Sequence, residues 1–225
     1  MKTLNTLLLL IIIAGFTGCK MENDTTTSTN TVTDIDGNVY QTVTIGTQVW
    51  MVENLKTTKY RNGDPIPIVT DGTFYFQSAG VYCNYNNDAN NSTIYGRLYN
   101  WKAVNDIRNI APTGWHVPSD SEWSGLTAHL GTSLVAGGKL KEAGTTHWKN
   151  PNTGATNESG FTALPGGSNG GTFSYIGSSG SWWTSTPNYQ LVKTAWVRYI
   201  DYDGNDVGRT FWHESNGLSV RCMKD

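Results

Sequence analysis

Pro112-Thr113-Gly114-Trp115-His116-Val117-Pro118-Ser119-Asp120-Ser121-Glu122-Trp123 carries the strongest local signal in the chain. Ser119 and Glu122 lie three residues apart and fit a capping box, in which a hydroxyl and a carboxylate satisfy the free amides of a helix start. Trp123, Leu126 and Leu130 then recur on one helical face, and Gly131 supplies a left-handed stop. Upstream, Leu98 to Asp106 reads as another helix, with Leu98, Trp101, Ala103 and Val104 on its apolar side. Downstream, Ala136 to Ser181 holds no period. The pairs Gly137-Gly138, Gly166-Gly167 and Gly170-Gly171 argue for long ordered loops. Strands return at Ala195–Tyr202, Val207–His213 and Leu218–Met223, joined by Asp203-Gly204-Asn205 and Ser215-Asn216-Gly217. At the other end, Val39 to Ile45 alternates, Gly46-Thr47-Gln48 breaks it and Val49-Trp50-Met51 resumes, a small hairpin preceded by an Asp36-Gly37 turn. Lys56 to Asn91, with Pro65, Pro67 and many Asn and Gly residues, reads as mostly loop with short strands. Two helices between β segments predict an α+β domain with antiparallel sheets and long Gly-rich loops.

The first residues have a different job. Lys2 precedes an unbroken apolar run, Leu7 to Ala14, followed by small residues and Cys19. Charge, apolar stretch and small-residue exit are the layout of a secretion signal, and the run is shorter than the roughly 20 residues a spanning helix needs. Thr17-Gly18-Cys19 resembles the lipobox of bacterial lipoproteins, with Phe16 where Leu is usual. Residues 1–18 are therefore expected to be a signal, Cys19 a lipidated N-terminus that anchors the protein in a membrane, and 19–33 a polar tether. The Lys20-Met21-Glu22 cluster resembles export signals of Bacteroidetes-type lipoproteins, which places the protein on the outer membrane, with the cell surface favoured over the periplasm.

Residues 34–225 suffice for one domain with a full core. The chain has 25 Gly, 9 Trp, 11 Tyr and only 15% charged residues, with a formal charge of −2, so no global attraction to nucleic acid is expected. After Cys19 only Cys83 and Cys222 remain. They are read either as a disulfide, which an oxidising compartment permits, or as free buried thiols.

Five blocks then become recognisable: Trp50-Met51-Val52-Glu53-Asn54-Leu55, Tyr95-Gly96-Arg97-Leu98-Tyr99-Asn100-Trp101, Pro112-Thr113-Gly114-Trp115-His116-Val117-Pro118-Ser119-Asp120, Phe161-Thr162-Ala163-Leu164-Pro165-Gly166-Gly167 and Gly217-Leu218-Ser219-Val220-Arg221-Cys222. In this order they resemble the Fibrobacter succinogenes major paralogous domain family over essentially 34–225. The resemblance implies a C-type-lectin-like fold related to formylglycine-generating-enzyme domains, with paired termini, two flanking helices and a loop-rich binding face. It also implies that Trp50, Trp101, Trp115 and Trp123 belong to the core.

Catalytic signatures are weak. Formylglycine-generating enzymes use a close pair of copper-binding cysteines, which Cys83 and Cys222 do not supply in sequence. Gly166-Gly167-Ser168-Asn169-Gly170 has the letters of a nucleophile elbow but neither its strand nor its helix. The four histidines, His116, His129, His147 and His213, have no catalytic or metal spacing. No cofactor is expected. Calcium stays open only through Asp34-Ile35-Asp36-Gly37-Asn38 and its twin Asp201-Tyr202-Asp203-Gly204-Asn205, whose glycine is at the fourth position rather than the sixth of an EF-hand, and turn chemistry explains both.

The segment from Tyr199 to Glu214 is the most informative about function: its flanks resemble the family closely, and between them the family pattern is commonly rich in Asn. Adjacent strand residues face opposite sides, so Phe211 and Trp212 cannot both be buried in a one-sided sheet. An exposed aromatic among acidic and amide residues is a typical contact patch. Tyr199, Asp201, Asp203, Asn205, Asp206, Arg209, Thr210, Phe211, Trp212 and His213 are the expected ligand-contacting residues. The layout resembles target proteins of diversity-generating retroelements, which vary this surface. The leading expectation is a non-enzymatic envelope lipoprotein that binds a glycan or protein. The alternatives are an enzyme acting on cell-surface polymers and a structural envelope module.

Overall fold

A computed structural model describes residues 30–225. The signal, Cys19 and the tether up to residue 29 lie outside the described residues. The last tether residues do not continue as tether. β1 (Thr31–Thr33) pairs antiparallel with β2 (Val39–Ile45) as an edge strand, so the domain begins earlier than position 34. Asp34 fixes the connection: its carboxylate accepts from the amides of Asp36 and Asn38 and from the Tyr40 hydroxyl at 2.6 Å. β2 turns through Gly46-Thr47 into β3 (Gln48–Met51), the hairpin its alternation predicts.

The segment expected to be mostly loop contains the short strand β4 (Tyr82–Cys83), as expected, and α1 (Ala89–Tyr95) starts unannounced at its end. Asp88 caps α1 by accepting from the Asn90 amide, which compensates for the poor helix formers Asn90, Asn91 and Thr93. The helix expected at Leu98 to Asp106 is shorter. Leu98-Tyr99 forms β5 (Leu98–Tyr99) against β4, and α2 (Trp101–Val104) follows. Asn100 makes the break, because its side chain accepts from the amides of both Val81 and Ala103 and donates to the Ala79 carbonyl.

β6 (Trp115–His116) leads into α3 (Asp120–His129), where the capping box is complete. Ser119 Oγ accepts from the Glu122 amide, and Glu122 accepts from the Ser119 amide at 2.7 Å. A fourth helix, α4 (Ser133–Leu140), runs where no periodicity was legible, so the expected pair of helices becomes four. Gly137 and Gly138 sit inside it because any side chain there would collide with the backbone or side chain of Asn205-Asp206 and with Gly154. The glycines buy close packing, not flexibility.

β7 (Gly166–Asn169), β8 (Phe173–Ile176) and β9 (Ser179–Pro187) likewise replace expected loops. Ser168 lies buried in β7 with β8 after it, so the nucleophile-elbow letters have no elbow. β10 (Thr194–Asp201) and β11 (Gly208–His213) form the expected hairpin, but its third strand is β9, not the C-terminus; the order is β11-β10-β9. The chain instead runs along the outer edge of β9, where Ser219 bridges Trp182 in parallel and its amide donates to the Ser181 carbonyl. Leu218, Val220 and Cys222 enter one core, and β12 (Met223–Lys224) pairs with β3 and β6. The N- and C-terminal strands thus share one sheet of order β1-β2-β3-β12-β6. Both faces of the 218–222 segment are covered, which a meander strand at a surface does not allow.

The β9–β11 sheet separates two apolar clusters. Trp183, Ala195 and Val197 face one, with Trp101 and Trp115; Trp182, Ile200 and Val207 face the other, with Trp50 and Trp123. A sheet covered on both sides lets the adjacent Trp182 and Trp183 both be fully buried. Trp50, Trp101, Trp115 and Trp123 are core residues, as expected. The result is an α+β domain, mostly antiparallel β with few helices.

Candidate functional site

Alternation along β9, β10 and β11 decides what the C-terminal face presents. In register, Tyr199 opposes Ser181 and Gly208, Asp201 opposes Ser179, and Val197 opposes Thr210. These residues share one face, and all but Gly208 line an open hollow of about 360 Å3, with Trp212 and with Tyr175 from β8. A second hollow of about 180 Å3 adjoins it, lined by Ser168, Gly170, Thr172, Ser174 and Asn216, and both share Tyr175 and Trp212.

Each wall has a local cause. Trp212 packs one side of its indole on the core and leaves the rest accessible. Tyr175 is 60% exposed although it belongs to a strand, and its φ of +70° is a conformation that side chains rarely adopt. Strain of this kind concentrates at functional sites. Gly208 gives Tyr199 its place, since any side chain at 208 would overlap the phenol ring.

Asp201 is fixed from behind. Lys141 is wholly buried, and its Nζ donates to the carbonyl oxygens of Thr153, Asp201 and Gly204 at 2.9, 3.1 and 2.8 Å. Burial pulls its pKa down to about 8, with Asp201, Asp203 and Asp206 opposing the shift. Burial also raises the Asp201 carboxyl above its ordinary value; hydrogen bonding to Ser179 opposes this, and Asp203 and Asp206 reinforce it.

The ten expected contact residues do not form one patch. Tyr199, Asp201, Thr210 and Trp212 meet in the hollow. Arg209 and Phe211 alternate to the opposite face. There Arg209 lies 3.3 Å over the Trp196 ring, Phe211 meets Trp196 edge-on at 5.9 Å, and Asp120 binds both Arg198 and Arg209. His213 stacks on Tyr75 at 5.5 Å. Asp203, Asn205 and Asp206 belong to the turn over α4, where the Asn205 carbonyl accepts from the Gly138 amide. Phe211 is exposed and Trp212 half-buried, the outcome that alternation requires. Tyr175, Ser179 and Ser181 were missed because Gly-rich flanks hid their strands; the short alternation Phe173-Ser174-Tyr175-Ile176 was the one available signal.

The two Asp-x-Asp-Gly-Asn segments are both turns. In the first, the Asp36 carboxylate accepts from the Thr58 amide and hydroxyl and pairs with Lys59 at 3.1 Å. In the second, the Lys141 ammonium occupies the ring of main-chain carbonyls. Cys83 and Cys222 are free thiols in separate apolar clusters, so the free-thiol reading holds. Among the described residues no helix is long and apolar enough to cross a membrane.

The fold and the aromatic-walled hollow define an α+β domain with a shallow pocket on one sheet face. The chain belongs to the Fibrobacter succinogenes major domain family, whose model matches residues 43–224. No curated protein and no solved structure matches it.

Proposed function

We propose that the protein is a non-enzymatic, lipid-anchored envelope protein of C-type-lectin-like fold that binds a ligand in the β8–β11 hollow. One observation carries the reading. Tyr175, held at a strained backbone angle, and Trp212 present accessible aromatic surface beside Asp201, Ser179, Ser181 and Thr210, which come from three different strands. A concave site with a few convergent polar groups is the usual form of a ligand pocket. Among the described residues lining the two hollows, Asp201 is the one carboxylate, which supports binding over the paired-carboxylate chemistry of polymer-cleaving enzymes. Cys19 provides the anchor in this reading, and a surface location on the outer membrane presents the hollow to the exterior.

Exchanging β8 and the β10–β11 face for those of another family member, then comparing binding on glycan and protein arrays, tests the site. Loss of the signal with the exchange is the expected result; binding that survives it places the site elsewhere. Protease treatment of intact cells tests the location, and full protection of the domain overturns a surface position.

A further inference from the structure

We infer that the ligand is a neutral carbohydrate chain, with one sugar ring lying against Trp212 and Tyr175 and the next reaching the adjoining hollow. This rests on reading the β8–β11 hollow as the ligand site and adds the ligand's chemistry. The lining combines two kinds of group and omits a third. Trp212 and Tyr175 offer flat aromatic surface, and they are the two residues common to both hollows. Hydroxyls of Ser179, Ser181, Thr210 and Tyr199, with the Asp201 carboxylate, cover the floor of the larger hollow. No Lys or Arg lines either hollow among the described residues.

These features select by chemistry. A phosphate, sulfate or uronic acid finds no cation and faces Asp201. A wholly apolar ligand strands the hydroxyls, which lose water without gaining a partner. A pyranose has both required surfaces. Its axial C–H groups carry slight positive charge and lie well on the electron-rich face of an aromatic ring, while its rim of hydroxyls donates to a carboxylate and exchanges hydrogen bonds with Ser, Thr and Tyr. Two hollows side by side suit successive units of a polymer. The openness of the site suits internal segments of a chain, which a closed cavity excludes. The larger hollow lies within the range of small-ligand sites, roughly 300–1,000 Å3.

The test uses the full mature chain, titrated by saturation-transfer NMR with the neutral hexaoses of cellulose, mannan, xylan and laminarin, and with choline, phosphate and sulfate as comparison probes. The expected result is binding of at least one neutral hexaose, weakened at least tenfold by Tyr175→Ala and retained by Tyr175→Phe, because the ring rather than its hydroxyl makes the contact. Tyr175 is exposed, so this variant keeps the core; Trp212→Ala, which also touches the core, is the second variant and is read only where its thermal unfolding stays cooperative. Overturning results are the absence of binding by all four hexaoses, tighter binding of choline or an anion, or indifference to Tyr175→Ala. Hydroxyl-radical footprinting in native envelopes separates the two levels of the idea. Protection of Tyr175 and Trp212 there, without any hexaose response, removes the sugar and keeps the ligand site; lack of both removes both.

Discussion

Lys141 and Asp201 meet through the main chain rather than as an ion pair: the ammonium donates to the Asp201 carbonyl oxygen at 3.1 Å. The same Nζ holds Thr153 and Gly204, so one buried cation ties the α4 end, the 150s loop and the turn after β10 behind the hollow. Lys141→Met keeps the bulk of the side chain and leaves three buried carbonyls without a donor. At about 1–3 kcal/mol for each group, partly offset by the charge no longer buried, the expected loss is on the order of 3 kcal/mol by urea denaturation. The loss also has a pH signature. The folded-state pKa of about 8 lies below the ordinary 10.5, so between these values the unfolded chain binds more protons and wild-type stability rises with pH. The gap between wild type and variant therefore widens from pH 8 to 10.5; a constant gap contradicts the buried ammonium.

Asp201→Asn is expected to stabilise the domain while weakening its binding. Burial raises the carboxyl above its ordinary 3.8, so within the window from 3.8 upward the folded chain holds more protons than the unfolded one. Stability falls as pH rises through that window, and the wild type carries this cost at pH 7. The amide carries none. Melting temperatures measured across pH should put the variant above wild type at neutral pH, with the advantage closing as the pH falls to 3.8. A variant that melts lower at pH 7 contradicts the assignment. Gain of stability with loss of binding is the trade expected of a site residue.

Cys83 and Cys222 are expected to be inert in the native protein. Burial pushes the Cys83 thiol up to about 12 and the Cys222 thiol higher still, and the thiolate is the reactive form. Both should react with a thiol reagent at neutral pH only after denaturation, and reduction should leave the intact mass of the domain unchanged. A mass change on reduction shows a disulfide and requires the two core clusters to rearrange.

Much of this fold was legible where chemistry is local. Ser119 and Glu122 close a capping box within one turn, and Gly46-Thr47 reverses a strand whose alternation is plain. Elements held by distant partners were hidden. Nothing near Gly137-Gly138 announces a helix, because the reason for the glycines is Asn205 and Asp206, some 70 residues on. Leu98-Tyr99 looks helical until β4 pairs with it. The site was half legible for the same reason. Alternation gave Trp212 its exposure, but which of its neighbours shared its face depended on the β10–β11 register and on β8, which the sequence displayed as loop.

Arg221 shows what the terminal Ser219-Val220-Arg221-Cys222 block does. The guanidinium is fully buried and donates through Nε and Nη2 to Asn54 Oδ1 at 3.0 and 2.8 Å, and through Nη1 to the carbonyls of Met51 and Phe161. It also stacks on the Phe161 ring at 4.3 Å. The Asn54 oxygen accepts a third bond, from the Trp182 indole at 2.8 Å, while its amide donates to the Tyr95 carbonyl. One side-chain pair thus joins β3, β9, the α1 end and the C-terminal segment. Arg221→Met removes the charge, takes the guanidinium donor from two carbonyls and leaves the Asn54 oxygen with the Trp182 indole alone. Asn54→Ala leaves the guanidinium and an indole N–H short of an acceptor in a dry site, the costlier kind of loss, about 3–5 kcal/mol. Combining them removes both the charge and the oxygen that faced it. The double variant should therefore lose less than the two singles together, by about 1–3 kcal/mol in a double-mutant cycle read from chemical denaturation. Additivity within about 0.5 kcal/mol, the limit for independent sites, contradicts a shared network. Arg221→Lys, which keeps the charge but not the planar fork, is expected to fall near Arg221→Met and well short of wild type, because an ammonium cannot reach Asn54 and both carbonyls from one plane.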